Sequence, residues 1–320
     1  MSERYPFFTE EEFPGKMEDT VVPWISSNLI REDIRSKDGT RLATYRAVNP
    51  AEKGSVTMIH GFCEFTGKYH EMIYTFYQMG YSVFFLELRG HGYSECHYPD
   101  NRRVYVETFD QYIEDVEAFY DNIVTRYSTS DYRILYAHSM GGAISILYLE
   151  KHPDSFTKAI LSSPMLQLNF GSVKDWQVQM IVGAARRVRL DQTLTPGARE
   201  WTGEYEFEKS NCMSRNRYNY HFTLRLNDPR YRTWNSTFTW TKAAVEAIDS
   251  AIYYAKIISI PILLFQAEKD HTVLPGGQNR FAERSWNTKV VVIPGAKHEI
   301  YGGTDEIRRM YLDEIDRFIN

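Results

Sequence analysis

The sequence has few cysteines, and it has no apolar run long enough to cross a membrane. Three cysteines, Cys63, Cys96 and Cys212, are scattered over 320 residues, which argues against a disulfide framework or a zinc site. A membrane-spanning helix needs about 18 or more consecutive apolar residues, and no stretch approaches that length. We therefore expect no integral membrane segment.

Two further features are missing, a secretory signal and a strong charge of one sign. The N-terminal sequence MSERYPFFTEEEFPGKMED has neither a basic region nor an apolar core, so we expect a cytoplasmic protein. The net charge is −5, from 37 basic and 42 acidic residues, and it does not suggest a nucleic-acid binder. The composition, 43% hydrophobic and 25% charged, is that of a folded globular protein.

Short apolar runs alternate with segments of helical periodicity along most of the chain. The predicted strands are 29–36, 40–48, 55–60, 82–89, 133–138, 158–164, 261–267 and 289–295. The predicted helices are 69–79, 109–124, 139–152, 276–286 and 304–319. The first two strands flank Lys37-Asp38-Gly39, a hairpin signal, and residues 1–27, with three prolines, are expected to be irregular. This alternation predicts an α/β protein with a mostly parallel, doubly wound sheet.

A long insertion separates the sixth and seventh predicted strands. Residues 166–250 hold 12 Lys and Arg against 9 Asp and Glu, and four of the six tryptophans. The rest of the chain holds 25 basic and 33 acidic residues, so the insertion has a different charge and a separate role is expected. We divide the chain into a first core part, 1–165, an inserted domain, 166–250, and a second core part, 251–320.

A nucleophile motif follows the fifth predicted strand. Ala137-His138-Ser139-Met140-Gly141 matches the pattern Gly-x-Ser-x-Gly with Ala in the first position. Such a turn needs small residues two before and two after the serine, because strand and helix approach closely there. It exposes the hydroxyl at a helix N-terminus, where a developing anion is favoured. Ser139 is therefore the candidate nucleophile.

A serine nucleophile needs a histidine base and a carboxylate that orients the base. Among nine histidines, His298 lies in a loop directly after the last predicted strand, where a doubly wound sheet can present it to Ser139. Asp270 follows the preceding strand by three residues and is the candidate acid, with Glu268 in reserve. We expect the oxyanion to be held by the backbone N–H groups of Met140 and Phe62.

Five motifs in order resemble the α/β-hydrolase superfamily, and within it the bacterial lysophospholipase and monoacylglycerol lipase branch, the serine aminopeptidase S33 group. They are HGFCEFTGKY (60–69), ELRGHGYS (87–94), AHSMGG (137–142), AEKDHTV (267–273) and GAKHE (295–299). The resemblance implies an α/β-hydrolase fold, a Ser139–Asp270–His298 triad, an oxyanion hole from Phe62 and Met140, and a mainly helical cap made by the insertion. Neither a metal nor an organic cofactor is expected.

The sequence departs from the family pattern in four places. Ala137 stands where Gly is usual and Glu87 where Asp is usual, while Phe65 and Lys68 replace the His and Arg that monoacylglycerol lipases often carry. The last two fall in the segment expected to approach the substrate head group, so glycerol-specific recognition is in doubt. The candidate substrate-binding residues are Glu64, Lys68, Trp176 and Arg186.

Residues 173–187 are predicted to form an amphipathic helix that roofs an acyl-chain channel, with Val173, Trp176, Met180, Ile181 and Ala184 on one side. The alternative is that this face packs within the cap. Its basic end, Arg186, Arg187 and Arg189, is a candidate site for an anionic head group.

The expected reaction is ester hydrolysis through an acyl-serine intermediate, on a lysophospholipid or monoacylglycerol. The alternatives are a carboxylesterase on small esters, a catalytically silent binding protein, or an acyltransferase or peptidase. We expect a lipid or ester as partner, peripheral membrane contact where the substrate is a lipid, and a monomer or homodimer.

Overall fold

The structure, a computed structural model, describes residues 4–98, 103–171, 173, 175–187, 190, 192–195 and 200–320, with only the backbone at residues 175, 176, 179 and 186. The strands are β1 (Ile30–Arg35), β2 (Arg41–Ala47), β3 (Gly54–Ile59), β4 (Tyr81–Leu86), β5 (Arg133–His138), β6 (Lys158–Ser162), β7 (Ile262–Ala267) and β8 (Thr288–Ile293). The helices are α1 (Phe13–Lys16), α2 (Val22–Asn28), α3 (His70–Gln78), α4 (Asp110–Phe119), α5 (Thr125–Tyr127), α6 (Met140–Lys151), α7 (Asp175–Arg187), α8 (Arg215–Asn227), α9 (Phe238–Tyr254), α10 (Pro275–Arg284) and α11 (Asp305–Ile319).

The strands form one eight-stranded sheet in the order β1-β2-β4-β3-β5-β6-β7-β8. β1 and β2 form the expected antiparallel hairpin, and β2 is also antiparallel to β4. The pairs from β4 through β8 are parallel. The predicted α/β-hydrolase fold is confirmed, and the carboxyl ends of β3, β5, β7 and β8 therefore share one edge of the sheet.

Helices cover both faces of the sheet. Leu135 and Ala137 of β5 belong to a buried cluster with α4, α6 and α9. Ile134 and Tyr136 of the same strand belong to a second cluster with α3 and α11. Alternate residues of one strand thus serve two apolar layers, because successive side chains point to opposite faces. The sheet is thereby held rigid beneath the loops at its edge.

The N-terminal arm is helical, contrary to the expectation for residues 1–27. α1 and α2 are joined by a π-helical segment, Met17–Val21, and the arm buries Phe8, Phe13, Met17 and Val21 against Tyr74 and Tyr220. The prolines did not forbid this, because Pro14 and Pro23 stand in the first turns of α1 and α2. At Pro14 the N–H that proline lacks has no helical partner, and Pro23 directly follows the π-helical segment, within one continuous helical run.

Part of the predicted insertion packs on the core. α9 buries Trp240, Ala244, Ile248 and Ala251 in the cluster that contains α6. The boundary predicted at residue 250 falls inside this helix, which ends at Tyr254. The chain between β6 and α9 carries α7 and α8. Among the described residues, we find no helix with the length and apolar character of a membrane span.

Candidate active site

Ser139 occupies a strained turn between β5 and α6. Its φ of 50° and ψ of −117° lie outside the regions that non-glycine residues usually adopt. Its backbone is fixed from both sides, because its N–H donates to the Ser162 carbonyl at 3.0 Å and its carbonyl accepts from Met165 at 2.9 Å. A Cβ on Gly141 would lie 2.4 Å from the Ile59 carbonyl oxygen. The motif therefore needs glycine where α6 meets the end of β3.

His298 connects Ser139 to Asp270. Its Nε2 lies 2.8 Å from Ser139 Oγ, and its Nδ1 lies 2.6 Å from Asp270 Oδ2. The carboxylate is an acceptor, so Nδ1 carries the proton and the unprotonated Nε2 faces the hydroxyl. Ser139 and His298 are both buried. The structure thus brings together three side chains from three strand ends, in an arrangement that can transfer a proton from Ser139 to His298.

The loop after β7 holds Asp270 in place. Its Oδ1 accepts hydrogen bonds from the N–H groups of Thr272 at 2.8 Å and Val273 at 2.9 Å. Burial alone would raise the pKa of Asp270, but His298 and these two amides outweigh it and hold the pKa below its ordinary value. The reserve candidate, Glu268, is exposed and accepts from the N–H of Gly295 at 2.7 Å. Asp270 is therefore the carboxylate beside His298.

The loop after β3 leaves one amide for a ligand. The N–H of Gly61 donates to Glu64 Oε2 at 2.6 Å, and the N–H of Cys63 donates to His91 Nε2 at 3.1 Å. Within the described part of the chain, no acceptor is recorded for the N–H of Phe62 between them. Met140 is the first residue of α6, and such N–H groups have no intrahelical partner. Both amides expected in the oxyanion hole are therefore available.

Glu64 and Lys68 form a buried ion pair behind this loop. Lys68 Nζ lies 2.9 Å from Glu64 Oε1 and 2.7 Å from Glu299 Oε1. Tyr301 donates to Glu64 Oε1 at 2.6 Å, and Tyr69 donates to Oε2. Burial would raise the pKa of Glu64, but the Lys68 charge and these hydroxyls hold it well below its usual range. Burial likewise opposes the charge of Lys68, whose pKa the two carboxylates nevertheless raise.

These contacts change the interpretation of Glu64. We expected it to contact the substrate, but protein donors surround its carboxylate, and its side chain is 4% exposed. It instead holds residues 60–64, the candidate oxyanion loop, through the N–H of Gly61. Sequence reasoning missed Tyr301, which donates to Glu64, and Glu299, which pairs with Lys68, although Glu299 directly follows His298 in the quoted GAKHE motif.

A cavity of about 320 Å³ lies between the oxyanion loop and the connection from α7 to α9. It is lined by Phe62, Cys63, Lys68, Glu200, Trp201, Thr202, Glu204, Glu206, Lys209, Ser210, Asn211, Cys212, Tyr218, His221, Phe222, Arg225, Trp234 and Glu299. Its wall thus includes Phe62, which carries a candidate oxyanion amide, and Glu299, which follows the candidate base His298. Its size fits a small organic group, and Lys68 lies on its wall.

The prediction of which apolar side chains of α7 are covered is wrong for the side chains that the structure describes. Val178 and Val182 are buried against Val245 of α9, whereas Met180 is 65% exposed and Ile181 46% exposed. Val173 and Ala184 are exposed too. The side chains of Trp176 and Arg186 lie outside the described residues, and so does Arg189, while Arg187 is exposed.

Two histidines near Ser139 are buried and serve the framework. His138 faces the Ser162 carbonyl oxygen through Nδ1 at 3.1 Å, and His60 Nε2 accepts from the N–H of Leu88 at 3.0 Å. Burial lowers the pKa of each to about 4, so both are neutral near pH 7.

Comparison with known proteins gives a family match over most of the chain. The family described as serine aminopeptidase S33 matches residues 50–305. A probable lysophospholipase L2 of Haemophilus influenzae is 27% identical, and the alignment covers 100% of this chain and 96% of that protein. Lysophospholipase L2 of Escherichia coli K12 is 28% identical over 83% of this chain and 80% of its own.

A solved structure agrees with the observed fold. A soluble variant of monoglyceride lipase from Saccharomyces cerevisiae, crystallised with a substrate analogue, superposes with a TM-score of 0.69 at 18% identity. The match covers 91% of this chain and 95% of that one. At this identity the likeness concerns the arrangement of strands and helices.

Proposed function

Since the chain belongs to the serine aminopeptidase S33 family, we propose that it is a serine hydrolase that cleaves carboxylic esters of lipids, with lysophospholipids as its principal substrates. The observation that carries the proposal is the hydrogen-bonded chain Ser139–His298–Asp270 at a strained strand-to-helix turn. The names of the two lysophospholipase relatives support the lipid substrate. The family name alone does not fix the acyl acceptor.

In the proposed first half-reaction, Ser139 Oγ attacks the ester carbonyl carbon while His298 Nε2 takes the hydroxyl proton. Asp270 keeps Nδ1 protonated and stabilises the imidazolium that forms. The N–H groups of Phe62 and Met140 hold the oxyanion, and losing one such donor costs about 3 kcal/mol in other hydrolases. His298 then gives its proton to the leaving alcohol, which leaves an acyl-Ser139 ester.

The second half-reaction repeats these steps with water. His298 takes a proton from the water, whose oxygen attacks the acyl carbonyl, and the tetrahedral intermediate collapses as His298 returns the proton to Ser139. The products are a free fatty acid and a regenerated serine. Each step uses groups that this chain supplies.

We also propose that the insertion, 166–250, acts as a cap, and that its segment 200–234 closes the substrate cavity. The exposed Met180 and Ile181 of α7 support peripheral contact with a lipid surface, because apolar side chains on an amphipathic helix enter the boundary of a bilayer. The chain would then meet its substrate at the membrane surface.

The test is turnover of three substrates by the wild type and by Ser139→Ala. We expect the wild type to hydrolyse lysophosphatidylcholine and monoacylglycerol, and Ser139→Ala to lose about 10⁴-fold or more in kcat. Good activity on p-nitrophenyl butyrate without activity on either lipid would indicate a plain carboxylesterase. Unchanged activity of Ser139→Ala would overturn the mechanism.

A further inference from the structure

Arg225 is a partly buried cation, and among the described residues no carboxylate lies within ion-pair distance of its guanidinium. Its Nη2 donates to the carbonyl of Cys63 at 2.8 Å, and its guanidinium carbon lies 5.3 Å from the ring centre of Phe65 and 5.0 Å from that of Trp234. Among the described residues, its buried Nε has no hydrogen-bond partner, and no ion pair of Arg225 is recorded. Burying a charge in this way is costly unless a counter-charge arrives.

Arg217, on the same helix, differs from Arg225 because a carboxylate pairs with its guanidinium. Its Nε and Nη2 donate to the two carboxylate oxygens of Glu71 at 2.9 and 2.8 Å, and Nη2 also donates to the Phe8 carbonyl. That guanidinium is part of the protein framework. Arg225, two turns further along α8, lines the cavity instead.

The other basic groups on the cavity wall are compensated. Lys68 is paired with Glu64 and Glu299, and Lys209 is paired with Glu206 at 2.9 Å. Burial lowers the pKa of His221 well below its ordinary value, so this imidazole is neutral near pH 7. Among the described residues, Arg225 is therefore the basic group on this wall with no carboxylate in ion-pair contact, while Glu299 and Glu64 act on its charge from further away.

The outer part of the cavity carries negative charge instead. The carboxylates of Glu200 and Glu204 are exposed there. Aromatic rings stand beside them, with Trp201 6.4 Å and Tyr218 5.9 Å from Phe222 between ring centres. Carboxylates and aromatic faces are the groups that attract an organic ammonium ion. The cavity thus presents an inner cation and an outer anionic, aromatic mouth.

We propose that this cavity binds the head group of a zwitterionic lysophospholipid, with the phosphate on Arg225 and the ammonium at the exposed carboxylates of Glu200 and Glu204. The proposal rests on the proposed function. Arg225 is bonded to Cys63, the residue after Phe62, whose amide is assigned to the oxyanion. In a lysophospholipid only a three-carbon glycerol unit separates the acyl ester from the phosphate, so the anion belongs next to the reacting carbonyl. A planar guanidinium suits phosphate recognition.

The first test compares kcat/KM on lysophosphatidylcholine with kcat/KM on a monoacylglycerol of the same chain length. We expect Arg225→Met to lower the ratio of the two by about 10- to 100-fold, the effect of losing a hydrogen-bonded charge. Arg215→Met, on the exposed start of the same helix, is the matched control and should keep the ratio. An equal loss on both substrates would show that Arg225 only supports the Cys63 loop, and would overturn the proposal.

The second test separates the two charges. Glu204→Gln should weaken turnover of lysophosphatidylcholine more than that of lysophosphatidylglycerol, which has the phosphate but no ammonium. An equal effect on the two lysophospholipids would contradict the proposed ammonium site.

The third test needs no variant, so it holds even if Arg225→Met does not fold. Glycerophosphocholine should inhibit wild-type hydrolysis of p-nitrophenyl butyrate competitively, while glycerol at the same concentration should not. Absence of inhibition by glycerophosphocholine would contradict the head-group site. If the wild type cleaves neither lipid, the proposed function itself is contradicted. If the wild type cleaves both lipids and Arg225→Met has the same ratio of kcat/KM values as the wild type, this inference alone is contradicted.

Discussion

His298 Nδ1 and Asp270 Oδ2 lie 2.6 Å apart, and this contact fixes which ring nitrogen faces Ser139. Because the carboxylate accepts the Nδ1 proton, Nε2 is left as the acceptor for the Ser139 hydroxyl. The two residues come from loops after neighbouring strands, β7 and β8. The loops after these two strands therefore set the tautomer of His298.

Asp270→Asn should lower kcat on p-nitrophenyl butyrate by about 10⁴-fold, since an amide donor at this position favours the wrong imidazole tautomer. Glu268→Gln is the matched control, because that exposed side chain contacts Gly295 rather than His298. Steady-state kinetics of both variants checks this. Comparable losses in the two would mean that the loop as a whole, not the Asp270 carboxylate, supports the base.

Gly141→Ala should abolish activity and destabilise the fold by at least about 1–3 kcal/mol, the usual cost of overpacking. The new Cβ would lie 2.4 Å from the Ile59 carbonyl oxygen and 2.5 Å from that of His60, and backbone cannot move aside as a flexible side chain can. Gly183→Ala in α7 is the control, since its Cβ meets no described heavy atom within 4 Å. Urea unfolding and ester hydrolysis report both effects. Normal activity in Gly141→Ala would refute the close approach of α6 to β3.

Much of this site can be predicted from sequence, because Ser139, Asp270 and His298 each follow an apolar run, and parallel strands end at one edge. The Lys68–Glu299 ion pair could not be predicted from sequence, because 231 residues separate the two side chains and no local pattern relates them. The orientation of α7 failed for another reason. Both of its sides carry apolar residues, Val178 and Val182 on one and Met180 and Ile181 on the other, so periodicity alone does not tell which side meets α9.

Glu64→Gln should reduce kcat more than it changes KM, because the amide cannot accept from all the donors that surround Glu64, and the Gly61 loop loses its anchor. Removing one partner of a buried ion pair costs about 3–5 kcal/mol, so urea unfolding should show a clear loss. Tyr69→Phe, which removes a single donor, should cost less in both measurements. A selective rise in KM with unchanged kcat would restore Glu64 as a substrate contact.

Stability should fall between pH 6.5 and pH 4, because burial lowers the pKa of His60, His70 and His138 from 6.5 to about 4. In this range the unfolded chain binds more protons than the folded one, so acid favours unfolding. Each histidine contributes at most about 1.4 kcal/mol per pH unit. The stabilisation is complete above pH 6.5 and is lost as the pH falls toward 4.

Urea unfolding at several pH values measures this slope. His70→Gln should make this slope shallower, since Gln does not titrate. Equal slopes in the wild type and His70→Gln would show that His70 binds its proton equally in both states.

The most direct measurement of the central claim is the site of reaction with a fluorophosphonate probe, mapped by mass spectrometry of the digested protein. The account predicts one adduct, on Ser139, whose rate of formation falls steeply in His298→Ala, because the hydroxyl loses its base. A well-folded wild type that remains unlabelled, or that is labelled on another residue, would contradict it.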